Sequence, residues 1–218
     1  MFLIYEISKV SEDYKMYEEV VWKLYGIAIW VMRLLYLNML WILFTLLGCV
    51  IFGLFPATTA MFAVTRKWIV KEQISVFPIF WSTYKTSFFQ MNMIGALLTF
   101  LGIILYVDLR FFQTANHIVY ITLSYFIIFT LFIYFVVVLY IFPLYVHYQY
   151  RTFEYIKRSV IIVLGKPLYA IMMIVGSYFV YLISTTFPIL IIFISGSSFS
   201  TIIMWISMHS FRKNEISV

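Results

Sequence analysis

Charged side chains are scarce in this chain of 218 residues, and their scarcity excludes more than any motif in it. Only 11% of the residues are charged, whereas soluble domains carry roughly 25%. Four runs contain no charged residue and are 32, 22, 40 and 45 residues long: Leu34–Thr65, Thr86–Val107, Phe111–Tyr150 and Pro167–Phe211. About 20 apolar residues form a helix that crosses a bilayer. A soluble globular protein is therefore excluded, and a multi-pass membrane protein is predicted.

Residue patterns typical of enzymes and metal proteins are also missing. Cys49 is the single cysteine, which excludes an intrachain disulfide and a metal site built from paired thiolates. The histidines His117, His147 and His209 form neither an HExxH motif nor an i, i+4 pair. The Ser195–Ser198 stretch lacks the GxSxG spacing of hydrolases. We therefore predict a protein that is not an enzyme and that binds no cofactor or metal.

Acidic residues are absent from the interior of every predicted span. Ion-coupled transporters usually keep an ionisable group near the middle of the membrane, so this absence disfavours that class. The net charge of +6 comes from cations beside the apolar runs, as in Arg66, Lys67, Lys157 and Lys166. Such cations are typical of the cytoplasmic edge of a membrane protein. We expect the partner of this basic surface to be the lipid bilayer and not nucleic acid.

Apolar periodicity predicts an all-α fold, a polytopic membrane helix bundle that forms a single membrane domain over residues 1–218. An amphipathic N-terminal helix is expected over residues 1–25. About five spans are predicted, at 26–54, 90–106, 118–143, 168–186 and 189–209. Two short amphipathic helices, at about 57–70 and 78–90, are expected at the cytoplasmic surface. Pro56 is expected to begin the first of these, because proline suits the first turn of a helix.

The cations also predict an orientation. Residues 55–90, residues 146–167 and the C-terminus are expected in the cytoplasm, with Arg110 outside. Five crossings would place the N-terminus outside, whereas Lys23 and Arg33 favour the inside. A hairpin that folds back near Gly48–Pro56 would keep every N-terminal cation inside, so both arrangements stay open.

Polar, small and aromatic residues near the span ends are candidates for structural roles or partner docking. Tryptophan beside cations is common at membrane interfaces, and the alternative is a groove for another membrane protein or a lipid headgroup. The candidates are Arg33, Asn38, Gly53, Pro56, Thr58, Arg66, Lys67, Trp68, Trp81, Asn92 and Asp108.

Three segments follow a family pattern, in the family's order and over nearly the whole chain. They are RLLYLNMLWILFTLLGCVIFGLFPATTAMFAVTRKWI (Arg33–Ile69), FWSTYKTSFFQMNMIGALLTFLGIILYVDLRFF (Phe80–Phe112) and IFPLYVHYQYRTFEYIKRSVIIVLGKPLY (Ile141–Tyr169). With its FPAT…AVTRKW block, the chain resembles the YesL-like family of bacterial integral membrane proteins. The resemblance implies a bacterial cytoplasmic membrane location and no established activity. Members are often encoded beside sugar uptake systems, which implies an accessory part in carbohydrate import.

Two functions follow from these observations. The first is an accessory or scaffold protein for a sugar permease or other membrane protein, docked through the two interfacial helices. The alternative is a transporter or channel subunit that acts as a homo-oligomer. In that case Asn38, Asn92 and the Ser195–Thr201 stretch would line a polar path.

Overall fold

The computed structural model describes the backbone of residues 2–114, 118–186 and 191–212, and the side chains of residues 17–114, 118–186 and 193–211. Within these residues all regular structure is helical, which confirms the predicted fold class. The helices are α1 (Phe2–Leu47), α2 (Ile51–Ile69), α3 (Val76–Gln113), α4 (Ile118–His147), α5 (Thr152–Gly165), α6 (Pro167–Thr186) and α7 (Gly196–Arg212), with a single π-helical turn (Ile191–Ser195) before α7.

Among the described residues, four helices are long and apolar enough to cross a membrane. They are the Tyr17–Leu47 part of α1, and α3, α4 and α6. The fifth predicted span, 189–209, starts outside the described residues and continues as the π-helical turn and α7. With 17 residues, α7 is shorter than the roughly 20 residues that a crossing helix needs. Four of the five predicted spans thus have a candidate helix among the described residues, and the fifth stays a prediction.

The first two helices form an antiparallel hairpin, the arrangement that the N-terminal cations favour. Trp41 of α1 donates its indole N–H to the Thr58 hydroxyl at 3.0 Å, and nearer the other end Trp30 packs edge-on against Trp68 at 5.9 Å. The chain reverses at Gly48–Val50, where Cys49 has a φ of 53° and Val50 a φ of 64°. These left-handed conformations end α1 because a right-handed helix cannot continue through them.

Pro56 does not begin a helix, contrary to the prediction. It lies inside α2, which begins at Ile51. The predicted 57–70 helix, expected to be interfacial or partly buried, is part of α2, and nearly all of Ala57–Thr65 is buried within the protein. Many buried side chains of α2 are small, so neighbouring helices can pack closely around it. It lies at the centre of the bundle, where it contacts α1, α3, α4 and α7.

Two further boundaries differ from the prediction. The expected helix at 78–90 and the expected span at 90–106 are one helix, α3, which also includes Asp108 and Arg110. The expected helix at 1–25 likewise continues into the first span as α1. The basic segment expected as a loop contains the helix α5, whose buried Tyr155, Ser159 and Val163 recur every four residues on one face.

The packed core covers only about half of the length of α3 and of α4. Buried residues of α3 end at Leu98, and those of α4 begin again at Val136 after Ser124. Residues 99–113 and 118–135 form a two-helix extension, which we call the α3–α4 arm. Its helices contact each other, for example through the rings of Phe112 and Tyr120 at 5.8 Å.

Candidate functional site

The cationic segments meet at one end of the bundle, which we call the cationic end. Arg66, in the last turn of α2, donates from Nη1 to the Val146 carbonyl at the end of α4, over 3.2 Å. Lys166, at the start of α6, donates to the Ser210 carbonyl of α7. Arg110 lies near the other end of α3, in the arm. The chain thus separates its cations as a polytopic membrane protein does.

A cavity of about 610 Å³ opens beside Arg66, and we call it the cationic cavity. It lies where the end of α2, the first half of α3, the end of α4 and the start of α5 meet. Its lining side chains and backbone belong to Ala63, Arg66, Lys67, Ile79, Thr83, Thr86, Gln90, Tyr145, Val146, His147, Tyr148, Gln149, Tyr150 and Tyr155.

The charge of this cavity comes from two neighbouring residues with different surroundings. The Lys67 ammonium is paired with the Glu72 carboxylate. Arg66 forms no ion pair with a described residue, and its buried Nε–H has no hydrogen-bond partner there. A buried donor that stays unpaired costs about 1–3 kcal/mol, and more when the group is charged. Arg66 is therefore the residue that leaves the cavity electropositive.

Hydrogen bonds between tyrosines and Gln90 hold the wall opposite α2. The Tyr145 hydroxyl donates to the Gln90 amide oxygen at 3.0 Å, and the Gln90 amide nitrogen donates to the Tyr150 carbonyl at 3.4 Å. The Tyr155 hydroxyl donates to the Tyr148 carbonyl at 3.0 Å and accepts the Tyr150 N–H at 2.9 Å.

Burial raises the pKa of the Tyr155 phenol, and the nearby Tyr150 phenol adds to this rise. The hydrogen bond from the Tyr150 backbone opposes it. Since Tyr155 stays protonated at neutral pH, its hydroxyl remains able to donate to the loop that follows α4.

A second cavity, of about 700 Å³, lies at the same end, and we call it the tryptophan cavity. Trp30, Trp68 and Trp205 line it, one each from α1, α2 and α7. Lys71 and His209 are at its border, and His147 lines both this cavity and the cationic cavity. Arg66 and Lys67 thus line the cationic cavity, and the next residue of α2, Trp68, lines the tryptophan cavity.

Pro56 and Asn92, two of the predicted site residues, act together. Proline has no N–H, so the carbonyl four residues earlier, that of Phe52, receives no hydrogen bond from position 56. The Asn92 side chain of α3 donates to this carbonyl at 2.9 Å and to the Phe88 carbonyl at 2.8 Å. Asn92 thereby supplies the hydrogen bond that proline removes from α2.

Asn38, Thr58 and Gly53 hold the centre of the bundle together. The Asn38 side chain is 1% exposed and accepts the Ser197 N–H at the start of α7 over 3.2 Å. Thr58 links the hairpin by accepting from Trp41 and donating to the Leu54 carbonyl. A Cβ atom on Gly53 would lie 2.4 Å from the Thr45 carbonyl oxygen, so only glycine allows this approach of α1 and α2.

The remaining predicted residues lie apart from these contacts. Arg33 is exposed beside Trp30, Trp68 and Lys71 in a smaller cavity at the cationic end. Trp81 stacks on Tyr84, with the Lys85 ammonium 4.6 Å from its ring centre. Asp108 is exposed in the arm and is not brought near the other candidates.

Sequence reasoning missed the polar residues that complete the cationic cavity. Gln90 fell on the boundary between two predicted helices, and Tyr145 and Tyr155 were hidden among the 18 tyrosines of the chain. An uncharged amide inside the run Thr86–Val107 was the one signal that pointed to Gln90. The tertiary structure was needed for the tyrosines, since their partners lie on other elements.

Metal ligation finds no support in the part of the chain that the structure describes. No group of three His, Cys, Asp or Glu side chains comes together there. His117 lies outside the described residues. The absence of catalysis remains a prediction.

Four long apolar helices and a basic end define a polytopic helical membrane protein with a polar cavity at its cationic end. Residues 34–109 match a family described as "Protein of unknown function, DUF624". This chain belongs to that family, because three uncharacterised proteins of Bacillus subtilis (strain 168) are similar to it over most of their length.

The similarity to these relatives covers more than three quarters of this chain and of each relative. YteU is 36% identical over 172 residues, 78% of this chain and 77% of YteU. YesV is 34% identical over 186 residues, 85% of this chain and 89% of YesV. YesL is 34% identical over 186 residues, 84% of this chain and 87% of YesL. The resemblance to the YesL-like family is thus confirmed. No solved structure matches this chain.

Proposed function

We propose that this protein is an accessory or scaffold component of carbohydrate uptake that docks a sugar permease within the bacterial cell membrane. The α3–α4 arm carries the docking. The cationic end, with the C-terminus, faces the cytoplasm, as the positive-inside rule favours. The sugar-uptake part comes from the family resemblance, and the identity of the docked partner tests it.

The observation that supports docking is the exposure of the arm. Among residues 99–113 and 118–135 the structure buries only Ser124. At 1.5 Å per residue the arm extends about 22 Å past the packed core. Its large apolar side chains, such as Phe100 and Phe129, are 64% and 60% exposed. Either lipid or another membrane protein must cover such a surface.

The sequence predicted docking through the helices at 57–70 and 78–90, and this proposal no longer includes the helix at 57–70. Because α2 is buried at the centre of the bundle, a partner cannot reach it without unfolding the core. The helix at 78–90 keeps part of its surface free, since Trp81 and Phe89 are exposed. This surface runs along α3 into the arm and extends the docking face.

The alternative, a transporter or channel subunit that acts as a homo-oligomer, has less support from the contacts of Asn38 and Asn92. Asn38 binds α7, while Asn92 binds the Phe52 carbonyl of α2. Each side chain is used in a different helix pair, and each satisfies a backbone group. Polar residues engaged in this way stabilise helix packing, which favours a structural role for both side chains.

Photo-crosslinking tests the docking proposal in living cells. A photoreactive phenylalanine analogue is placed at Phe100, at Phe129 or, as the control, at Phe153 of α5, which is 65% exposed and so equally accessible. We expect both arm positions to form an adduct with a carbohydrate permease subunit, identified by mass spectrometry. We expect no such adduct from the control.

The other outcomes separate the parts of the proposal. Lipid adducts alone at both arm positions would refute docking by the arm. An adduct with a membrane protein unrelated to carbohydrate uptake would refute the sugar-uptake part. An adduct with a second copy of the chain would favour the homo-oligomer alternative, which solute flux in liposomes would then decide.

A further inference from the structure

The guanidinium of Arg66 lines the cationic cavity and is only partly paired. Its Nη1 donates to the Val146 carbonyl, whereas its Nε is buried without a partner among the described residues. In a guanidinium, Nε–H and the neighbouring Nη2–H point the same way and bind two oxygens of one anion. The contact with Val146 fixes the side chain, and because Nε is buried, an anion in the cavity would meet the Nη2 side of the guanidinium.

The surroundings of Arg66 select for a negative ligand. Among the described residues that line the cationic cavity there is no Asp or Glu. The one other cation, Lys67, already has Glu72 as its partner. The charge of Arg66 is therefore not compensated by any described residue, and an anion in the cavity would supply the opposite charge.

The size and position of the cavity indicate the source of that anion. A free phosphate ion would fill only a small part of about 610 Å³, a volume within the range of pockets for small organic ligands. The rim includes the exposed Thr86 and Gln149. It lies at the cationic end, close to Trp81 and Lys85, which are residue types typical of the headgroup layer.

We propose that the cationic cavity is a binding site for the phosphate of an anionic phospholipid headgroup, held by the Arg66 guanidinium. Basic pockets between membrane helices on the cytoplasmic side bind such headgroups in other proteins. The bound lipid would join α2, α3, α4 and α5 at the cationic end. This site is independent of docking by the arm.

Lipid titration of the delipidated protein tests the site. The protein in mild detergent is titrated with phosphatidylglycerol or with diacylglycerol, which lacks the phosphate, and bound lipid is counted by native mass spectrometry. We expect Arg66→Gln to weaken phosphatidylglycerol binding about tenfold, the loss of one charge-assisted contact. Binding of diacylglycerol should not change.

Two further variants separate recognition from folding and from general charge. Thr83 lines the cavity, so Thr83→Phe fills it while the Arg66–Val146 contact stays intact, and we expect a similar loss of binding. Lys85→Gln removes a cation at the same end but outside the cavity, and we expect less than about a twofold change. Arg66→Lys keeps the charge without the fork, and we expect an intermediate loss.

Each outcome decides the proposal. Equal losses in Arg66→Gln and Lys85→Gln would show general surface attraction and would overturn it, as would wild-type binding by both Arg66→Gln and Thr83→Phe. Inorganic phosphate is added as a competitor. Displacement of phosphatidylglycerol by millimolar phosphate would assign the same site to a soluble phosphate in place of the lipid.

Discussion

The hydrogen bond from Asn92 to α2 makes a prediction that a double-mutant cycle can measure. Pro56 gives the Phe52 carbonyl no N–H, and the Asn92 side chain donates to that carbonyl over 2.9 Å. In a bilayer no water replaces a lost partner. Asn92→Leu keeps the size of the side chain, removes the donor, and leaves the carbonyl unsatisfied.

The size of the effect follows from the number of groups left unpaired. Asn92→Leu leaves one carbonyl without a donor, which costs about 1–3 kcal/mol in proteins generally. Hydrogen bonds between membrane helices contribute about 0.6 kcal/mol on average and about 1.7 at most. We expect Asn92→Leu to lower the free energy of unfolding by about 1–2 kcal/mol. Losing the bond to the Phe88 carbonyl adds little to this cost, because that carbonyl keeps its backbone hydrogen bond within the helix that it shares with Asn92.

Pro56→Ala provides the second arm of the cycle, because alanine returns an N–H to the Phe52 carbonyl. In that background we expect Asn92→Leu to cost about 0.5 kcal/mol, a coupling of about 1 kcal/mol between the two positions. The assay is reversible unfolding in mixed detergent micelles, followed by circular dichroism. Thr130→Val is the matched control, since the Thr130 hydroxyl donates only within its own helix, to Phe126. Equal costs of Asn92→Leu in both backgrounds would refute the reasoning.

Three further predictions concern the hairpin, the α4–α5 loop and the orientation. Gly53→Ala forces a Cβ against α1 and should destabilise by about 2–3 kcal/mol, whereas Gly26→Ala, with nothing within 4 Å, should be neutral or slightly stabilising; equal effects in the unfolding assay would contradict the close approach. Burial raises the pKa of Tyr155 above its usual value of 10.0, so its contribution to stability is complete below pH 10 and is lost as the pH rises through the raised pKa. Tyr155→Phe should therefore reduce the loss of unfolding free energy above pH 10, and an unchanged alkaline slope would refute this. In a chain whose native cysteine is replaced, an impermeant maleimide should label Gln113→Cys in intact cells and Lys157→Cys only after permeabilisation; the reverse result would invert the proposed orientation.

The class of protein could be read from the sequence because one physical constraint dominates it. Runs of 22 to 45 residues without charge leave the bilayer as their solvent, and only helices that satisfy their own backbone fit there. The cations between these runs were also interpreted correctly as members of one layer. Arg66 and Lys166 do lie at the same end of the folded chain.

The ends of the helices were predicted less well, because hydrogen bonds from residues far along the chain can override local helix-start and helix-stop signals. Pro56 has the residue type that begins helices, yet α2 continues through it. The donor that makes this possible, Asn92, is 36 positions further along the chain. The span predicted to end at 106, before the charged Asp108, continues past this residue in α3. A single exposed charge does not interrupt backbone hydrogen bonds, so it is a poor marker of where a helix ends.

By itself the sequence determined that this protein is helical and lies in a membrane, since composition alone decides transfer into lipid. Only the tertiary structure decided that α2 is the buried centre, that Asn92 supplies the hydrogen bond that Pro56 removes from α2, and that Arg66 lines a cavity without a described acidic residue. These features depend on which helix faces come together. Packing between segments far apart in the chain sets that, and no local pattern records it.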